Sequence, residues 1–295
     1  MTSFALILVL ISALGHSAWN YLTKASNHKI VFLWMMLIAS GVIYGIPFCY
    51  RLWTHPNPLP VEGWPYVLAT CAIHSLYFSF LGTAYRKGDL STVYPVARGT
   101  APVLVTFLAP ILLGQGERPS TLGGAGIALV VIGIQVVGLP GVSRSSLRRF
   151  WQDLSRGPVG FAFLTGLMTT FYTLVDRRGV YHVDPFVYVY LQMVVTAFFL
   201  MPWMVLRKRE EIKYEWTVNK WRAAAVGLLC VGAYGIILWV MTLPVKISYI
   251  TAGRECSILF SSLLGIIALN EPRALQKVIG AAVIVSGILC ITFAQ

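Results

Sequence analysis

Of the 23 basic and 11 acidic residues in the 295-residue chain, only Arg98, Arg254 and Glu255 fall inside long apolar runs. A charge at the centre of a bilayer costs roughly 2.5–3.5 kcal/mol on insertion scales, so such residues face a protein interior or a wet cavity. Arg98 and Arg254 can hold a carboxylate or another anionic group, while Glu255 can hold an amine or exchange protons. The same three residues can instead make a structural ion pair, Arg98 to Glu255, with Arg254 snorkelling towards an interface. One pair leaves a positive charge over, and that excess favours an anionic ligand.

Aromatic and imidazole side chains recur at helical spacing around these charges. His16 and Asn20 are four residues apart and share a helix face, with Trp19 beside them. His74, Tyr77 and Phe78 repeat that spacing, and Tyr172, Tyr234 and Tyr249 lie in later apolar runs. Such rings offer an apolar face with a polar tip, which suits a small amphipathic substrate; each taken alone serves packing equally well. Pro95 and Pro102 flank Arg98 and Gly99. Proline removes a helical hydrogen bond and kinks the chain, so a kink, for gating or for packing, coincides with a charge.

The elements that must position these residues are membrane helices. The chain is 57% hydrophobic and 12% charged, outside the balance of a soluble domain. Runs long enough to cross a bilayer lie at 3–23, 30–50, 64–85, 91–113, 121–141, 158–175, 185–206, 223–243, 247–269 and 278–294. This predicts an all-α integral membrane protein of ten transmembrane helices, the first retained rather than removed as a signal peptide. The polar segments 51–63, 142–157 and 207–222 read as connections. The net charge of +12 sits beside the ends of apolar runs, where it meets lipid headgroups rather than nucleic acid. The five cysteines have no C-x-x-C spacing and read as packing residues, the GGAGIA stretch at 123–128 has no strand before it, and His16, His74 and Asp184 form no metal or hydrolase set. No metal or cofactor is expected.

Displacing the sequence by 154 positions brings Gly99 onto Gly253, Glu117 onto Glu271, Gly126 onto Gly280 and Gly133 onto Gly287. Offsets of 153 and 157 pair Trp19 with Tyr172, Lys24 with Arg177, and Tyr77 with Tyr234. The chain therefore divides into five-helix repeats at 1–140 and 157–295, joined by a basic loop at 141–156. Because five is odd, the second copy enters the membrane from the opposite side and the repeats are inverted, an arrangement that places a site near the midplane and permits alternating access. Arg98 and Arg254 each lie seven residues into their span, roughly 10 Å deep at 1.5 Å per residue. Gly41 and Gly45, with the repeated glycines, read as helix contacts.

The segments HSAWNYLTKAS at 16–26, AYRKGDLSTVYPVARGTAPV at 84–103, LLGQGE at 112–117 and ISYITAGRECSILFSSLLGIIALNE at 247–271 resemble the EamA branch of the drug/metabolite transporter superfamily. That resemblance implies a ten-helix bundle with a central cavity and export or exchange of amino acids, related metabolites, nucleotide sugars or drugs. It makes Trp19, Tyr94, Arg98, Arg254 and Glu255 cavity candidates, and Glu117 and Glu271 turn residues. The first helix lacks the acidic residue by which small multidrug-resistance relatives bind cations.

The expected function is a secondary transporter, an exporter of amino acids or related zwitterionic or anionic compounds at the cell (inner or plasma) membrane, not an enzyme. A multidrug or organic-cation exporter is the alternative, and a membrane enzyme using His28, Asp89 or Asp176 a remote one. The expected partners are a small-molecule substrate, membrane lipids and protons, with no nucleic acid, in a monomer or homodimer. Sixteen Lys and Arg residues in odd-numbered loops against five in even ones put the termini outside, whereas relatives in organelles are expected to keep theirs cytosolic.

Overall fold

A computed structural model describes residues 1–24, 26–87, 90–138, 157–260 and 274–294, which form helices and short connections with no strand among them. In lipid every backbone polar group must be satisfied within the chain, and apolar runs of this length meet that demand as helices. The first half holds α1 (Ser3–Lys24), α2 (Lys29–Thr54), α3 (Trp64–Lys87), α4 (Leu90–Leu112) and α5 (Thr121–Gly138). The second holds α6 (Pro158–Gly179), α7 (Pro185–Arg207), α8 (Arg209–Val240), α9 (Ile247–Arg254) and α10 (Ala274–Phe293). Eight of these helices are long and apolar enough to cross a membrane, and α5 is a shorter apolar helix. Part of the ninth expected span, the basic loop at 141–156 and Glu271 lie outside the described residues.

The packing repeats when the halves are exchanged. The contact of α3 with α6 has its counterpart in α8 with α1, that of α2 with α8 in α7 with α3, and that of α4 with α6 in α9 with α1. The pairs α2–α7, α4–α9 and α5–α10 each join a helix to its own equivalent. The α5–α10 seam depends on glycine. A Cβ on Gly126 would stand 2.6 Å from the Gly287 carbonyl oxygen, and one on Gly133 would stand 2.8 Å from that of Gly280. Gly41 packs on α7 in the same way, where a Cβ would meet Val194 at 3.0 Å.

Local chemistry fixes the helix ends. Asp184 starts α7 by accepting hydrogen bonds from the backbone N–H of Phe186 and Val187 at 3.0 and 3.2 Å, with Pro185 in the first turn. After α4, Gly114 turns the chain with a φ of +112°, a conformation that favours glycine. Glu117 follows and accepts from Arg177 Nε at 3.0 Å and from the Ile247 N–H at 2.7 Å, so the expected turn residue also holds the start of α9.

Two boundaries differ from the sequence reading. Residues 209–222 are not a loop: they are the first turns of the 32-residue α8. Ion pairs Lys208–Glu211 at 2.6 Å and Lys213–Glu210 at 2.8 Å support them, and buried Glu215 accepts from the backbone N–H of Asn27 and His28. The sixth helix runs on past residue 175 to Gly179, drawing Asp176 and Arg177 into the protein interior. The outer surface carries exposed Ile46, Phe107, Ile111 and Leu289, an apolar coat suited to acyl chains, and exposed Trp53 at the end of α2, with Trp216 and Trp221 on the polar first part of α8, suits the interface.

Candidate functional site

Between the halves lies a cavity, open at one end, walled by α1, α3, α6, α7, α8 and α9. Tyr172 stands at its centre. The His74 ring stacks on Tyr172 with centroids 4.1 Å apart, and Tyr77 and Tyr234 meet the same ring edge-on at 5.7 and 6.1 Å. The tyrosines paired by the repeat thus flank one ring. On α1, Trp19 Nε1 donates to His16 Nδ1 at 3.0 Å, so that imidazole nitrogen is an acceptor, and both side chains reach the cavity. Gln192 completes the wall from α7; its Oε1 is buried without a hydrogen-bond partner among the described residues.

His16 and Tyr77 also line an adjoining cavity, together with Asn20, Arg98 and Glu255. Here Arg98 Nε lies 3.0 Å from Glu255 Oε2, and Arg98 Nη2 donates to Ser257 Oγ at 2.7 Å. The ion pair joins α4 of one half to the turn after α9 of the other. Arg254 does not snorkel. It is 9% exposed, lines the first cavity with its guanidinium carbon 5.3 Å over the Tyr234 ring, and makes no hydrogen bond or ion pair among the described residues.

Both charge-bearing helices are irregular at the charges. In α4, Pro102 leaves no helical N–H for the Arg98 carbonyl, and Gly99 admits Gln135, whose Nε2 would stand 3.1 Å from a Cβ there. In α9 the irregularity comes without proline. Glu255 N–H donates to the Ala252 carbonyl at 3.1 Å and the Glu255 carbonyl accepts from Ile258 at 2.9 Å, the tighter spacing that often marks a hinge.

The sequence profile of the EamA-like transporter family matches residues 3–139 and again residues 157–293, once for each half. The chain belongs to the EamA-like transporter family. A solved structure titled only "Crystal structure of protein" superposes on 99% of this chain and 98% of its own with a TM-score of 0.73, at 16% identity, which speaks for the fold alone. No curated protein matches the chain.

Most of the expected site residues of this EamA protein come together: His16, Trp19, Asn20, His74, Tyr77, Tyr172, Tyr234, Arg98, Arg254 and Glu255 line the two adjoining cavities. Tyr249 does not. It is buried against the start of α5, where its hydroxyl accepts from the Ser120 N–H at 3.1 Å. The Tyr94 side chain and Asp89 lie outside the described residues. Pro95 and Pro102 sit within α4 as expected.

Sequence reasoning left Gln192 out and named Asp176 only as a residue of a membrane enzyme, not of the cavity. Asp176 is fully buried on α6, accepting a 2.8 Å hydrogen bond from the Tyr188 phenol and a second from that of Tyr234. It follows Tyr172 by four residues and so shares its helix face, a pattern present in the sequence. Among the described residues no three His, Cys, Asp or Glu side chains gather as metal ligands. His28 stands apart at the start of α2, beside Glu211.

Proposed function

We propose that this multi-pass EamA membrane protein is a secondary transporter that exports small zwitterionic or anionic metabolites, amino acids and related acids, across the cell membrane by alternating access. One observation carries the substrate class: Arg254, buried in an aromatic cavity with no carboxylate within ion-pair distance among the described residues. An unpaired buried charge is costly, and a ligand carboxylate would relieve that cost.

In this reading the carboxylate binds Arg254 and the apolar body lies against Tyr172, Tyr234 and Trp19. Glu255 was expected to receive an amine, but it is occupied by Arg98. The unpartnered amide oxygen of Gln192 is the better acceptor for an ammonium group. The Arg98–Glu255 pair then acts as a latch between the halves, located where α4 and α9 are irregular. A packing scheme that maps onto itself when the halves exchange supports ten spans in two inverted repeats, with the cavity opened to each side in turn.

The aromatic walls would also suit an organic cation, but Arg254 already covers a face of Tyr234 and adds like charge to the cavity. Counterflow in proteoliposomes, with amino acids, carboxylates and phosphonates tested one at a time, decides the matter. Exchange of a carboxylate that is lost in Arg254→Gln is expected. Movement of none of these compounds would refute the substrate class, and movement of cationic dyes alone would favour a multidrug exporter.

A further inference from the structure

Asp176 is a fully buried acid that the substrate reading leaves without a role. Of its two phenol partners, Tyr188 is buried against the Tyr66 carbonyl, away from the cavity, whereas Tyr234 forms part of the cavity wall. Among the described residues no cation forms an ion pair with Asp176, because its neighbour Arg177 is turned towards Glu117 at 3.0 Å. The titratable or charged groups facing it are Cys71 on α3, Tyr188 on α7, Tyr234 on α8 and, at longer range, Arg254 on α9. The Thr70 hydroxyl also lies against this carboxylate, 3.1 Å from Nδ1 of His74, whose ring stacks on Tyr172.

We infer that Asp176 is a proton-binding site of the transport cycle, linked to the anion site at Arg254 through the Tyr234 phenol. The inference rests on the transporter reading above. In the observed arrangement each carboxylate oxygen accepts a phenol hydrogen bond, as an ionised group does. Protonation replaces one of these bonds: Tyr234 passes its proton to Oδ2, forming the acid O–H, and takes a proton from a hydronium ion in the cavity, which leaves as water. The phenol O–H then turns towards the cavity. Since the Tyr234 ring also underlies Arg254, the change is felt at the substrate site. A proton on Asp176 and an anion on Arg254 carry opposite charge into the same interior, joined through Tyr234, so the two bind together, each strengthening the other by the same factor.

Infrared difference spectroscopy of the protein in phosphatidylcholine–phosphatidylglycerol vesicles tests this, with benzoate as the probe anion. Acidification should raise a carboxylic-acid C=O band that is absent from Asp176→Asn, and benzoate should raise the proton affinity about tenfold. Tyr234→Phe, which removes only a hydroxyl, should shift the band and weaken the benzoate effect. A band that persists in Asp176→Asn, or no titrating band at all, overturns the proton site. If Asp176→Asn does not fold, a band unmoved in Tyr234→Phe overturns it instead. A titrating band that ignores bound benzoate overturns the coupling, whereas failure of benzoate to bind overturns the anion reading of Arg254 and leaves the band to decide on Asp176.

Discussion

Replacing Arg254 and Arg98 separately by glutamine distinguishes a ligand-binding charge from a structural one, because the two arginines differ in what they leave behind. Arg254 has no ion-pair partner to strand among the described residues, so Arg254→Gln removes a poorly solvated guanidinium and exposes no new buried charge. Its folded state should be as stable as the parent or more so. What it loses is a charge-assisted hydrogen bond to ligand, worth about 1.5–3 kcal/mol. At 1.4 kcal/mol per decade, carboxylate affinity should fall about 10- to 100-fold. Arg98→Gln instead strands Glu255, 4% exposed with Oε2 otherwise unbonded. Breaking a buried pair from one side costs about 3–5 kcal/mol, so this variant should unfold at a clearly lower temperature. A thiol-reactive fluorophore gives the assay, since Cys71, Cys230 and Cys256 are buried and become reactive on unfolding, and counterflow on the same samples gives affinity. Equal destabilisation by the two variants, or unchanged carboxylate affinity in Arg254→Gln, would refute the division of roles.

Two further predictions concern the frame. Glu117→Ala strips Arg177 of its ion pair and leaves the Ile247 N–H uncapped, so it should destabilise by about 3–5 kcal/mol; Arg177→Ala added to it should cost much less than the sum, and additivity within about 0.5 kcal/mol would show the pair to be uncoupled. Gly133→Leu drives a side chain into Ile284 and the Gly280 carbonyl at 2.5 and 2.8 Å and should cost about 1–3 kcal/mol in thermal unfolding, against no loss for Gly124→Ala, where a Cβ meets nothing within 4 Å. Equal stabilities would mean that the seam is not close-packed.

The helices were legible because lipid leaves a backbone few options, so an apolar run of sufficient length is a helix whatever its neighbours. Where charge accumulates, that rule is silent. The stretch 207–222 reads as a loop by composition, yet from Arg209 onwards i,i+3 ion pairs and the inward turn of Glu215 make it helix. The partner of Glu255 was legible only as an alternative, since nothing in one strand of sequence decides whether Arg98 or Arg254 comes within 3.0 Å of it. Tyr249 was misjudged by residue type. Five residues before Arg254, it points about 140° away around the helix at 3.6 residues per turn, and so meets α5 rather than the cavity.

That Asp176 reads from sequence only as a scattered acid, and not as a neighbour of the cavity, has a more general cause. A search for repetition finds what both halves need, and both halves need close contact: Gly126 and Gly133 have counterparts in Gly280 and Gly287, and each pair meets its own equivalent across the seam. Chemistry that acts on one substrate needs only one copy. The pairing that sets Lys24 against Arg177 puts Thr23 where the second half has Asp176, and the Thr23 hydroxyl bonds back to the Trp19 carbonyl of its own helix at 2.8 Å. The same asymmetry holds at Gln192 on α7, which lines the cavity while no residue of α2, its equivalent helix, does. Symmetry therefore marks the scaffold and the aromatic walls, Trp19 with Tyr172 and Tyr77 with Tyr234, and the departures from it, at Asp176 and Gln192, fall in or beside the same cavity.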